Sequence, residues 1–227
     1  MEPAPDKETE ILERYCAGYS LRQLPKGRPL LYQGEIPPSV FFIKKGVVKM
    51  YNITADGDEK IVSYESRGAL LPLEWLFDRS PVSSYYYDSF SDCQVYAVPK
   101  RDLLQIIASH RSAANALLNR FVAAYIGANI HVHALEQSKA RYKLLYIFQY
   151  LVLRFGEPTD SSHYRINLRL THQDIANLIG STRETASSEI SKLTKEGVIS
   201  IKELRYIIDT DKALRLLGET EFAELKL

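Results

Sequence analysis

Arg183, Glu184, Ser187 and Ser188 fall within six residues of one another, and their side chains are of the kinds that read nucleic-acid bases. An Arg bonds guanine O6 and N7 together, a Glu accepts from cytosine N4, and a Ser touches base edges with little selectivity. Thr171, His172 and Gln173 stand earlier, at a predicted helix start, where backbone N–H groups and the helix dipole favour a phosphate. Lys192, Lys195, Lys202 and Arg205 suit further backbone phosphates or plain solvation equally well.

Two short helices and a tight turn must position these groups. Thr171 followed by Asp174 predicts one helix start of the capping-box type, and Ser181 followed by Glu184 predicts another. Gly180 between them supplies the left-handed conformation that ends a helix. Ile175, Ala176, Leu178 and Ile179 face inward from the first helix, and Ala186, Ile190 and Leu193 from the second. Arg183, Glu184, Ser187, Ser188 and Ser191 are left on the outer face of a recognition helix at about residues 182–195. Such a face suits the major groove of double-stranded DNA. For Glu184, base contact and capping acid are compatible roles. Downstream, VISIK and RYIID flank a short turn, the wing of a winged helix, before a last helix DKALRLL.

Upstream lie a helix at about Lys139–Phe155, a loop GEPTDSSHY and a strand RINLRL. A longer helix at about Ala113–Glu136 precedes them, interrupted only by Gly127. On it Ala114, Leu118, Phe121, Tyr125, Ala128, Val132 and Leu135 recur at steps of four and three, the a/d seam of a two-helix coiled coil. A homodimer is expected; packing of the stripe on the preceding domain is the alternative. From Leu21 to about Pro99 the runs VFFI, VVKMYNI, IVSYES, SSYYYDSF and CQVYAVP read as short strands. Gly34, Gly46, Gly57 and Gly68 mark turns at nearly even spacing, as in a jelly roll. Residues 101–110 begin the helical part. The fold class is α+β: a β-roll domain at 1–112, a dimerisation helix at 113–138 and a winged helix-turn-helix at 139–227.

Charge is a weak pointer, because the net is only +1. The segment 139–217 holds a modest basic excess while 1–138 is balanced. No apolar run suits a membrane span and MEPAPDKETE is no signal peptide, so a cytoplasmic protein with no membrane partner is expected. No GxSxG, P-loop, GxGxxG or HExxH occurs, so no catalytic residues, metal or cofactor are predicted. Two distant cysteines, Cys16 and Cys93, cannot hold an iron–sulfur cluster, and no His precedes Ser109 to ligate a haem. Cys16 as a redox switch and His131 and His133 as pH sensors each stand beside a structural alternative.

The order of β-domain, long helix and winged helix, with LTHQDIANLIGSTRETAS, KLTKEGVI, LLYQGE and FFIKKGVVKMY, resembles the Crp/Fnr family of bacterial transcription regulators across nearly the whole chain. The resemblance implies a cyclic-nucleotide-binding-like sensor, a homodimer, palindromic promoter DNA and RNA polymerase as a partner. Where many relatives carry a second Arg one turn along the recognition helix, this chain has Ser188, so the usual family half-site is not expected. Pro72 and Leu73 stand where nucleotide-binding members have a Gly-Glu pair for ribose, and Ser83 and Ser84 where they have an Arg-Ser pair for phosphate. A buried phosphate would lack its cation. The effector is therefore not expected to be cyclic AMP; it is either another ligand, of unknown identity, or none. Trp75, Tyr85, Tyr86 and Tyr87 either line a pocket for a flat ligand or pack alternately into the β-core. A different function for the same architecture is a small-molecule sensor whose winged helix contacts protein.

Overall fold

The computed structural model describes residues 6–218. It forms two compact units, one running to Val122 and the other starting at Ala123.

The first unit opens with a helix not expected from the sequence, α1 (Lys7–Cys16). Asp6 caps it by accepting from the Thr9 N–H at 2.6 Å, and Leu12 and Cys16 anchor its buried face. Strands β1 (Ser20–Leu24), β2 (Pro29–Leu31), β3 (Val40–Lys45), β4 (Val48–Ile53), β5 (Glu59–Glu65) and β6 (Leu70–Leu71) follow. A one-turn helix α2 (Leu73–Leu76), strands β7 (Tyr86–Ser89) and β8 (Cys93–Val98), and helix α3 (Lys100–Ser109) continue the unit. The strands make two antiparallel sheets, β1-β8-β3-β6 and β2-β7-β4-β5. The evenly spaced glycines do sit at turns. At Gly68 the need is steric as well: φ is +90°, and a Cβ would stand 2.4 Å from Thr9 Oγ1 and 2.7 Å from Arg120 Cζ.

Burial explains the composition of VFFI. Phe41 and Ile43 point between the sheets, against Leu31, Val48, Tyr87 and Val95. Val40 and Phe42 point the other way, to Leu12, Leu103, Ala113 and Leu117 of the covering helices. A strand buried on both faces reads as a continuous apolar run instead of an alternation.

Helix α4 spans Arg111–Glu136, starting two residues earlier than expected. The second unit continues with α5 (Ala140–Phe155), β9 (Gly156–Pro158), β10 (His163–Ile166), α6 (His172–Ile179) and α7 (Arg183–Lys195). The hairpin β11 (Ile199–Lys202) and β12 (Arg205–Asp209) and a last helix α8 (Thr210–Leu217) complete it. Every residue of α5 from Leu144 to Val152 is buried, which makes it the central helix of this unit. The predicted loop after α5 contains β9, which extends the hairpin into a four-stranded sheet β11-β12-β10-β9. Among the described residues no helix is long and apolar enough to cross a membrane.

Candidate nucleic-acid interface

Helix α6 begins as its sequence predicts. Thr171 Oγ1 accepts from the Asp174 N–H at 3.1 Å, and Asp174 Oδ2 accepts from the Thr171 N–H at 2.8 Å, a complete capping box. It ends at Gly180, where φ is +61°, and the Ser181 N–H turns back to the Ala176 carbonyl at 3.0 Å.

That last bond corrects the expected start of the second helix. Because the Ser181 amide closes the end of α6, the cap of α7 passes to Thr182, whose Oγ1 accepts from Thr185 N–H at 3.2 Å. Glu184 is then the second residue of α7, one short of the capping-box position, and it is exposed without that duty. All seven residues expected to face inward from the two helices are buried.

Arg183, Glu184, Ser188 and Ser191 are exposed on α7, as are Thr171 and Gln173 at the start of α6. Ser187 and His172 are half-buried and face each other, with Ser187 Oγ and His172 Nδ1 2.8 Å apart. This contact joins the first turn of α6 to the second turn of α7, fifteen residues on, and sequence spacing gave no sign of it. Gln173 Nε2 donates to Asn177 Oδ1 at 2.8 Å, and Lys192 pairs with Glu189 at 2.6 Å. Lys202 lies exposed on β11, and Arg205 stands 3.9 Å from Glu203. Arg169, outside the set expected from the sequence, is exposed two residues before the α6 cap. Arg141 forks onto Glu196 and so fixes the C-terminal end of α7 to the start of α5. The wing turn places Glu203 and Leu204 at φ of 52° and 61°, and the Leu204 carbonyl accepts from Leu170 N–H at 3.0 Å.

On α4 the predicted seam is bare in the single chain. Leu118 is 58% exposed, Phe121 54%, Tyr125 60%, Val132 54% and Leu135 42%, and Ala128 is exposed with them. Val122, outside the predicted set, adds to the surface at 46%. Ile130, His131 and Ala134 are buried, whereas His133 is half-buried and lies 3.6 Å from Glu136.

The four aromatic residues weighed for an effector have different surroundings. Trp75 packs on the cluster of Phe42, Leu76 and Leu103, with the Lys100 ammonium 4.7 Å from its ring centroid. Tyr87 is buried between the sheets with Tyr85 beside it. Tyr86 lies on the opposite sheet face, stacked on Tyr51 at 5.3 Å. The alternating arrangement is the one present. Cys16 and Cys93 are free and buried.

A model of the cyclic nucleotide-binding domain matches residues 21–110, and one of the Crp-like helix-turn-helix domain matches 144–217. The chain is similar to electron transport regulator A of Shewanella oneidensis, 25% identical over 213 residues, covering 94% of this chain and 82% of that protein. It is similar also to the fumarate and nitrate reduction regulatory protein of Escherichia coli, 24% identical over 220 residues, covering 95% and 83%. A solved structure of a CooA mutant from Carboxydothermus hydrogenoformans shares the fold with a TM-score of 0.77 at 15% identity, over 95% of this chain and 97% of that one. One domain model falls in each unit, the relatives are regulators over nearly the full length, and the helix-turn-helix geometry is intact. The chain belongs to the Crp/Fnr family of transcription regulators and carries its DNA-binding helix-turn-helix.

Proposed function

We propose that this regulator acts as a cytoplasmic homodimer, inserting one α7 into the major groove of each half of a palindromic promoter site. The bare stripe of α4 carries the proposal. Five large apolar side chains at a/d spacing, each two-fifths or more exposed, form a surface that a second copy of the same helix covers. Two-fold pairing would set the recognition helices about one DNA turn, roughly 34–36 Å, apart. Arg183, Glu184 and Ser188 are the base-reading residues. Ser187, held by His172, acts more to fix the two helices than to read. Thr171, Gln173, Lys202, Lys192 and the exposed Arg169 serve the phosphates, and RNA polymerase is the further partner.

Cyclic AMP is not the effector. Leu73 packs on apolar neighbours, Ser83 Oγ donates to the Tyr85 carbonyl at 2.7 Å, and the Ser84 N–H donates to the Glu74 carboxylate at 3.2 Å. A carboxylate beside that amide repels a phosphate, and neither Ser83 nor Ser84 supplies the cation that an Arg would. The effector is then either a ligand of another kind or none, and DNA binding by the ligand-free protein distinguishes the two.

Selection of bound sites from random duplexes by the ligand-free protein, at fixed near-physiological salt, tests this. A palindrome supports dimer and base readout together, and Arg183→Ala should then weaken specific binding far more than non-specific binding. A folded protein that selects nothing, or an Arg183→Ala variant that loses both equally, refutes the assignment.

A further inference from the structure

His131 is the least ordinary buried residue of the second unit. It stands on α4 with 7% exposure, beside buried Ile130 and Ala134 and one helical turn before Leu135 of the bare apolar stripe. Its Nε2 lies 2.8 Å from the Leu178 carbonyl, and its ring stacks on Tyr150 of α5 at 6.0 Å. A carbonyl has no proton to give, so Nε2 carries the hydrogen and donates.

The acceptor is informative. Leu178 sits in the last turn of α6, where the helical ladder has run out and carbonyls need partners from outside. Ala176, two residues back, receives the Gly180 and Ser181 amides of the turn. Leu178 receives the imidazole of the seam helix instead. The bond therefore pins α4 to the turn between α6 and α7, two residues from Gly180. An apolar side chain at 131 would leave a buried carbonyl unsatisfied, and a lysine or arginine would bring a charge into the core. A partly positive donor at a helix C-terminus also suits the dipole there.

We propose that His131 is the positioning residue that fixes the stance of the recognition helix on the seam helix, and thereby the separation of half-sites that the dimer accepts. This rests on the dimeric, groove-reading assignment above. In such a dimer the seam is the common reference for both recognition helices. Any slack between α4 and the α6–α7 turn then appears twice, once in each half, as tolerance for altered spacing. One added base pair moves a half-site by about 3.4 Å and about a tenth of a turn, so a rigid pin rejects it and a loose one admits it.

The test is competition binding of the full-length protein to its selected palindrome and to versions with the central spacer lengthened or shortened in single base pairs. His131→Phe keeps a ring on Tyr150 but donates no hydrogen bond; His131→Gln keeps a donor of similar reach. The wild type should prefer one spacing sharply. His131→Phe should lose about tenfold of that preference, the equivalent of one buried hydrogen bond, while His131→Gln stays within about threefold of wild type. If His131→Phe does not fold, His131→Asn, whose amide is shorter, takes its place. A merely structural role would lower stability and overall affinity but leave the preferred spacing as sharp as before, and that result overturns the proposal. A wild type indifferent to spacing, or monomeric, overturns the dimer assignment itself and the proposal with it.

Discussion

Phe121→Ala is the most direct probe of the α4 stripe. In the single chain 54% of Phe121 is exposed. Complete burial of a Phe side chain contributes about 1.5–3 kcal/mol, so covering the exposed half contributes about 1–1.5 kcal/mol. Two-fold symmetry places the substitution in both chains, and the dimer should lose about 2–3 kcal/mol. The dissociation constant should rise about 30- to 150-fold. Alanine is the best helix former, so α4 itself is not weakened, and the solvent-facing position leaves the monomer core intact. Sedimentation equilibrium over a concentration series measures the shift. Asn115→Ala, exposed on the same helix outside the stripe, is the control and should move nothing. A Phe121→Ala constant within about threefold of wild type refutes the coiled-coil seam.

Asp209→Ala should destabilise the second unit by about 1–2 kcal/mol, because Asp209 caps α8 through the Lys212 N–H at 2.9 Å. Burial alone would raise the Asp209 carboxyl, but the Lys212 N–H and ammonium and His163 together hold it below the usual carboxylate range. Its contribution is complete above about 3.9, the unfolded value, and fades as pH falls through the lower folded value. Thermal melts of wild type and Asp209→Ala should therefore converge only in acid; a constant gap across that range contradicts the assignment. Burial pushes the Cys16 thiol up to about 12, with Glu13 adding to the effect, and burial raises Cys93 as well. A thiol reagent at mildly alkaline pH should label neither cysteine until the chain unfolds, and rapid labelling of the native protein would revive the redox switch. Leu204→Gly should stabilise the wing by about 0.5–1 kcal/mol, since Leu204 holds a left-handed conformation that costs a branched side chain more than a glycine. A lower melting temperature would show that the leucine side chain is needed for packing.

Much of this was legible in the residues. The helix-turn-helix announced itself because apolar spacing, Thr171 with Asp174, and Gly180 all agree on the same boundaries. The glycines of the β-roll were legible for the same reason: each requires a backbone that other residues avoid. The α7 cap slipped by one residue because Ser181 and Thr182 are both capable caps, and only the bond from Ser181 to Ala176 decides between them. Helix α1 escaped notice because its first turn is charged and its apolar face is short, needing the β-roll to bury Leu12 and Cys16. The aromatic run could not be resolved from spacing, since strand period says that Tyr86 opposes Tyr85 and Tyr87 but not which face is inside. His131 was visible as a residue, yet its partner Leu178 lies forty-seven positions away and comes near only when α6 docks.

The division of the chain between Val122 and Ala123, inside an unbroken helix, bears on how the protein can be taken apart. A truncation placed by eye would begin near Lys139, where helix gives way to a short connector. That fragment would keep α5 through α8 but discard Ile130, His131 and Ala134, which the second unit buries, and leave the Leu178 carbonyl without its donor. It should express as a sticky, loosely folded piece, whereas one starting at Ala123 keeps its own cover. A fragment boundary for this regulator therefore belongs inside α4, not in the connector that follows it.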